Sequence, residues 1–253
     1  MGFYIGKIFV SYYGLMILIG VIVGFILSIP LLVKFNICIE DYLIFVSIIS
    51  LTCMIGSKIL YCIINYQETI SIFKNFTIEN IKLFTNSGFV FYGGLLLTLL
   101  VLVIIKNNQY IKIDKMLNVI FPIFVIVHGI GRIGCGLVGC CYGIEYNGLL
   151  SIRYENSLIA PNFVNLFPTQ YVEAIFQIIV GFVFYILILK YGIKQKYIIQ
   201  YLIIYSMFRF TIEYFRGDYM RGYFGILSIS QVISLVFLII MIYVLKKDIK
   251  LFT

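Results

Sequence analysis

Long apolar runs recur from one end of this chain to the other, and no soluble fold has a core large enough to bury them all. Seven are long enough, or nearly so, to cross a hydrocarbon layer of about 30 Å. They are Ile8–Val33, Tyr42–Ile64, Gly88–Ile105, Met116–Tyr142, Gln170–Tyr191, Tyr197–Phe215 and Gly225–Leu245. Inside lipid every backbone N–H and C=O must be satisfied within the protein, which leaves helices or a closed barrel. The runs are continuous and do not alternate apolar with polar, so a barrel is excluded. With 62% hydrophobic and 12% charged residues, the expected class is an all-α polytopic membrane protein of seven transmembrane helices.

Lysine and arginine placement sets the expected orientation. With the N-terminus outside, the cytoplasmic segments carry Lys34, then Lys106, Lys112 and Lys115, then Lys190, Lys194 and Lys196, and finally Lys246, Lys247 and Lys250. The outer segments hold Lys7, Lys74, Lys82, Arg153, Arg216 and Arg221, and the C-terminus falls in the cytoplasm. The formal net charge of +8 reads as anchoring against anionic lipid. Its basic residues are scattered, which argues against nucleic acid as a partner. The first run is too long for a signal-peptide core and has no small-residue cleavage site after it, so it reads as a membrane helix. No linker divides residues 1–253, which are expected to form a single integral-membrane domain with small outer segments at 65–87 and 143–169.

Removing the loop charges leaves Lys58, His128, Arg132, Arg209, Glu213 and the membrane-edge Glu173. An arginine at the centre of a membrane helix costs about 2.5–3.5 kcal/mol on insertion scales, so it needs a partner or a ligand. Arg132 lies one turn after His128, the only histidine, with glycines at 129, 131, 134, 136, 139 and 143 around it. Those glycines clear space for another backbone or a bulky ligand. Tyr205, Arg209, Glu213 and Arg216 share one helical face. An internal salt-bridge network accounts for Glu213. The excess of basic over acidic groups leaves a charge for an anion, and an arginine fork matches phosphate oxygens. Arg132 and Arg209 are therefore expected to converge on one phospholipid headgroup, facing a side-open cavity.

The six cysteines read mostly as small buried apolar side chains. One histidine and no Cys-x-x-Cys spacing argue against a metal centre, so no metal or cofactor is expected. Tyr92 opens a helix beside a polar segment, where its phenol can reach a headgroup or position a reacting group. Thr169 and Gln170, after Pro168, read as helix caps for free N–H groups.

Several blocks, in order and nearly end to end, resemble the prolipoprotein diacylglyceryl transferase family. They are Tyr13-Gly-Leu-Met16, Gly56-Ser-Lys-Ile-Leu-Tyr61, Phe91-Tyr-Gly-Gly94, Gly131-Arg-Ile-Gly134, Pro168-Thr-Gln170 with Glu173, Arg209-Phe-Thr-Ile-Glu-Tyr-Phe-Arg216, and Leu227-Ser-Ile-Ser-Gln231. The resemblance implies seven helices, an external N-terminus and a place in the bacterial cytoplasmic membrane. It implies transfer of the diacylglyceryl group of phosphatidylglycerol to the lipobox cysteine of a prolipoprotein, with release of glycerol phosphate. Arg132 and Arg209 match family arginines and would grip the phosphate. Glu213 and Arg216 would orient them, and Tyr13, Gly93, Gly94, Cys135, Cys140, Gly143 and Tyr205 would line the substrate site.

The chain departs from the family pattern at three of these positions. Tyr92 stands where the family has a histidine proposed as base for the thiol, and Cys135 and Cys140 stand where it has Asn and Glu. An unperturbed phenol, with a pKa near 10, is a poor base at neutral pH. His128 is the alternative base. Two further readings stay open: a paralogue that binds a phospholipid headgroup but modifies another acceptor, and a non-enzymatic lipid-binding or transport protein.

Overall fold

The structure is a computed structural model that describes residues 1–6, 8–74, 77, 80, 84, 88, 90–105, 113–218 and 223–247. Lys7, Lys82, Lys106, Lys112, Arg221 and Lys250, used above for orientation, lie outside the described residues, as does most of the segment 75–87. The helices are α1 (Tyr12–Lys34), α2 (Ile39–Ile64), α3 (Tyr66–Lys74), α4 (Phe91–Ile105), α5 (Ile113–Val138), α6 (Thr169–Tyr191), α7 (Lys196–Ile212) and α8 (Ile229–Lys246). Among the described residues, α1, α2, α5, α6 and α8 are long and apolar enough to cross a membrane. The other two expected spans are shorter. α4 has 15 residues, and α7 has 17 before a 3₁₀ turn, Glu213–Phe215, ends it.

The chain is mostly rather than wholly helical. Three small antiparallel ribbons pair Gly2–Ile5 (β1) with Ile8–Ser11 (β2), Ile152–Arg153 (β3) with Asn165–Leu166 (β4), and Tyr223–Phe224 (β5) with Leu227–Ser228 (β6). The first apolar run therefore begins as a strand and turns helical at Tyr12, where Ser11 Oγ accepts the Gly14 N–H at 3.0 Å. Helix α8 starts with a reciprocal cap. Ser228 Oγ accepts from Gln231 N (3.2 Å), and Gln231 Oε1 accepts from Ser228 N (2.9 Å).

Contacts group the chain into two compact units, Met1–Phe35 with Leu117–Thr253, and Asn36–Met116. In the first, α5 is the buried axis: 56% of its apolar window is buried, against 39% or less for the other four long helices. Gly20 and Gly24 of α1 meet Val127 and Ile123 of α5, while Gly181 of α6 meets Ile126 and the backbone at Pro122. Phe121 packs on Phe184 and Tyr201, with ring centroids 5.3 Å away in both cases. Apolar side chains such as Val21, Val33, Ile179 and Ile239 stay exposed. Lipid tails are as apolar as leucine, so close packing and interhelical hydrogen bonds hold such helices together. Tyr185 supplies one such bond, from its hydroxyl to Leu27 O at 3.0 Å.

In the second unit α2 and α4 touch backbone to backbone. A Cβ at Gly56 would lie 2.4 Å from Gly93 O, and one at Gly93 would lie 2.2 Å from Gly56 O. Gly94 faces Cys53 and Ser57 in the same way, and Thr52 and Thr98 share a 3.1 Å hydrogen bond. A cavity of about 710 Å³ lies in this unit, lined by Met54, Lys58, Cys62, Tyr66, Phe84 and neighbours. Gly56→Leu should overpack the α2–α4 contact and lower stability by about 1–3 kcal/mol, measured by thermal unfolding in detergent. An unchanged midpoint would mean that the two helices do not pack through these glycines.

Candidate active site

Glu173, one turn into α6, is the hub of the most charged place in the protein. Its carboxylate side chain is 5% exposed, and three arginines from two other segments converge on it. Arg132 Nε of α5 lies 2.6 Å from Glu173 Oε2, while Arg209 Nη1 of α7 and Arg216 Nη1 each lie 3.3 Å from Oε1. Arg209 Nη2 also meets Glu213 Oε2 at 2.7 Å and donates to Ser230 Oγ at 3.3 Å. Arg216 grips Asp218 as a fork, with Nε and Nη2 each 3.2 Å from one carboxylate oxygen. The helical spacing explains part of this, since residues 209 and 213 are one turn apart on α7 and its 3₁₀ extension. Burial raises the Asp218 carboxyl above its usual range, although the Arg216 guanidinium pulls it down.

Arg132 and Arg209 come together on the Glu173 carboxylate. The surplus of positive charge expected there is offset, because Arg132, Arg209 and Arg216 face Glu173, Glu213 and Asp218. What distinguishes Arg132 is geometry. Its contact with Glu173 is a close ion pair without an aligned hydrogen bond at Nε. Its two Nη groups have no acceptor among the described residues, and with 16% of its side chain exposed it is the most open of the three arginines. The glycines around it are mostly filled by protein: Gly129 meets Ala174 O and Gln177, Gly134 meets Tyr13 and Met16, Gly136 meets the Tyr171 ring, and Gly143 meets Phe167 O. Gly131 is the exception, with nothing within 4 Å of a Cβ placed there.

Tyr205 and Tyr13 flank this cluster. Tyr205 is within electrostatic range of Arg132, Glu173, Arg209 and Arg216, and Tyr13 of Arg132 and the three nearby cysteines. His128 packs against Phe124 and Tyr205, and its Nδ1 lies 3.3 Å from Gln177 Nε2. The Tyr201 hydroxyl donates to Gln177 Oε1 at 3.0 Å, which turns the amide NH₂ toward the imidazole. Gln177 and Tyr201 escaped the sequence reading. Gln177, one turn after Glu173 on the same face of an apolar helix, is the signal that would have found them.

The end of α5 is built with unusual care. Gly139, at φ +81°, stops the helix, and the Gly139 and Cys140 N–H groups both return to Cys135 O. The last carbonyls of a helix have no internal donors. Here Tyr154 donates to Gly136 O (2.7 Å) and Ser157 Oγ to Val138 O (3.1 Å). Burial pushes the Tyr154 phenol up, so it stays a donor at neutral pH. Thr169 Oγ1 donates to Cys141 O and Gln170 Nε2 to Cys140 O, both at 2.8 Å. This corrects the capping role expected of Thr169 and Gln170: their side chains serve carbonyls of another segment. Gly143 pairs as a bridge with Arg216, and the Ile144 N–H bonds to Phe215 O at 3.0 Å. The segment 143–169 thus folds over its own small core of Tyr154, Ala160 and Leu166 and pins Arg216 beside the helix end.

Three of the six cysteines are not scattered fillers. Cys135, Cys140 and Cys141 place their sulfur atoms within 4.8 Å of one another. Gly93 and Gly94, expected at the substrate, are occupied by the α2–α4 contact. Tyr92 lies on α4, but its side chain is outside the described residues.

Comparison with known proteins gives the family of the chain. The family model described as prolipoprotein diacylglyceryl transferase matches residues 1–246. A phosphatidylglycerol–prolipoprotein diacylglyceryl transferase 2 of Clostridium perfringens is 33% identical over 259 residues, which cover 96% of this chain and 94% of the relative. A phosphatidylglycerol–prolipoprotein diacylglyceryl transferase of Clostridium tetani is 32% identical, covering 93% of this chain and 92% of its own length. One of Finegoldia magna is 25% identical, covering 91% and 88%.

Removing one partner of a buried ion pair strands the others and costs about 3–5 kcal/mol. Glu173→Gln should therefore destabilise the protein by about that amount, read from thermal unfolding in detergent. A variant as stable as the parent would show that the three arginines do not depend on this carboxylate.

Proposed function

Because the chain belongs to the prolipoprotein diacylglyceryl transferase family, we propose that it moves the diacylglyceryl group of phosphatidylglycerol onto the thiol of a prolipoprotein lipobox cysteine. The observation that carries this reading is the pair of unpartnered Nη donors on Arg132, beside the open side of Gly131. The substrate is a phosphodiester with one negative charge. As the thiol sulfur attacks the glycerol carbon, the C–O bond breaks and its electron pair stays on the phosphate oxygen. The departing glycerol phosphate gains a second negative charge, so donors already aimed at that oxygen stabilise the transition state more than the ground state.

Glu173 holds Arg132 by its Nε edge, which leaves the outer edge of the guanidinium for phosphate. Arg209 and Arg216 are committed to carboxylates and act by fixing Glu173 and the local field. Tyr13 and Tyr205 flank the headgroup, and Glu213 holds Arg209 in place. In this reading the enzyme sits in the bacterial cytoplasmic membrane, with α4 and α7 completing seven spans, the N-terminus outside and the C-terminus in the cytoplasm. Its two substrates, the lipid and the signal peptide with its lipobox cysteine, both meet it from the membrane.

His128 is a weak candidate for the base. With the Gln177 amide donating to Nδ1, that lone pair is occupied and the ring proton sits on Nε2. The thiol proton needs another route.

The test is transfer of labelled diacylglycerol from phosphatidylglycerol to a lipobox peptide by purified protein. Arg132→Ala should lower kcat/KM by about 100-fold or more, and Arg132→Lys should recover little of it, because a point charge does not reproduce the fork. Full activity in Arg132→Ala would remove Arg132 from the site.

A further inference from the structure

We propose that Cys135, Cys140 and Cys141 form a three-thiolate site for a soft divalent cation of the zinc class, whose fourth position takes the acceptor thiol. The proposal rests on the transferase reading for the identity of that fourth ligand. The site itself rests on geometry.

The three sulfur atoms lie within 4.8 Å of one another. Zinc–sulfur bonds of about 2.3 Å in a tetrahedral site put sulfurs about 3.8 Å apart, so the cluster needs to tighten by at most about 1 Å. The backbone that carries it is held in place. Gly139 turns the chain back so that Cys140 lies over Cys135, and Gln170 and Thr169 hold the carbonyls of Cys140 and Cys141. Cys141 is one of the few non-glycine residues in the left-handed region, at φ +61°. The surroundings suit the charge. Three thiolates and a divalent cation sum to one negative charge, and Arg132 and Arg216 are both within electrostatic range of Cys141. Among the described residues, no histidine or carboxylate joins the group as a fourth ligand. Structural zinc sites are closed by four protein ligands, whereas sites that handle a substrate keep a position open.

The open position is where the chemistry needs it. Cys135 is one turn after Arg132 on α5, so a sulfur held there lies near the arginine edge that takes the phosphate. The acceptor S–H releases its proton to water as the sulfur binds the cation. The bound thiolate attacks the glycerol carbon, the S–C bond forms as the C–O bond breaks, and glycerol phosphate leaves. The cation keeps its oxidation state. The thioether product is neutral, binds more weakly and departs. This route needs no base, which fits a chain with Tyr92 at the family's histidine position and a His128 whose Nδ1 is occupied.

The test uses the full chain in detergent, stripped with chelator under reducing conditions and titrated with Co²⁺ or Zn²⁺ alone. We expect one equivalent of Co²⁺ to give a thiolate-to-cobalt charge-transfer band, absent in Cys135→Ser, Cys140→Ser and Cys141→Ser. A lipobox peptide should shift the cobalt ligand-field bands, and the same peptide with serine for its cysteine should not. Stripping should slow transfer by about 100-fold or more, as expected for losing thiol activation, and Zn²⁺ should restore it. Because that comparison uses the unmutated chain, misfolding of a variant cannot mimic it. Full transfer by stripped protein with no cobalt band, or thiols blocked from alkylation by a disulfide, would overturn the site and leave the transferase reading standing. A cobalt band unmoved by the peptide would overturn the acceptor assignment. A site that binds Co²⁺ in a protein that transfers nothing to any lipobox peptide would instead overturn the transferase reading on which the fourth ligand rests.

Discussion

A carboxylate buried in an apolar bundle is the constraint from which the rest of this structure follows. An unpaired carboxylate would be costly to bury there, and Arg132, Arg209 or Arg216 alone would be costly in lipid. Together they make a set in which each charge lies within 3.3 Å of an opposite one. Because the participants come from α5, α6, α7 and the 3₁₀ turn after it, the set also fixes how those segments pack. Exchanging them for apolar residues would keep a bundle, but would lose the orientation of Arg132. That orientation leaves one guanidinium edge without an acceptor among the described residues, and it is the feature on which the proposed phosphate contact rests.

The second organising feature is the C-terminal end of α5. A helix end in a membrane protein presents carbonyls that lipid cannot satisfy. The chain meets this with Tyr154, Ser157, Thr169 and Gln170, all from the segment 143–169 and the start of α6. The same bonds hold the three cysteines in place beside the arginines. A single stretch of sequence thus satisfies the backbone, closes over the helix end and positions sulfur close to the buried arginines.

Much of the site was legible before any coordinates. Ionisable residues inside apolar runs stand out because their burial is costly, which marks Arg132, Arg209 and Glu213, and helical spacing adds Arg216 to the same face. Glu173 reads from the sequence only as a membrane-edge carboxylate within a family block, since one-dimensional spacing cannot show three partners arriving at one carboxylate. Gln177 and Tyr201 were missed because uncharged polar groups carry a weaker penalty. The glycines near Arg132 were taken to open a pocket, whereas most admit Tyr171, Met16, Phe167 or the α6 backbone. Only Gly131 faces open space, and absence of a side chain cannot by itself say what fills the gap.

The sequence by itself determined that this protein is built of apolar helices, because runs of that length leave the backbone no other way to meet lipid. It determined the family as well, through short blocks kept in order along the chain. Tertiary structure decided the rest. It made two of the expected spans shorter than a full crossing, put ribbons at the helix starts, committed Gly93 and Gly94 to packing, and gathered Cys135, Cys140 and Cys141 around one turn. Those outcomes depend on which faces meet across helices, and apolar surface specifies burial without specifying a partner. The partners are chosen by the few groups that cannot be left unsatisfied: one carboxylate, three guanidinium groups and the carbonyls at a helix end.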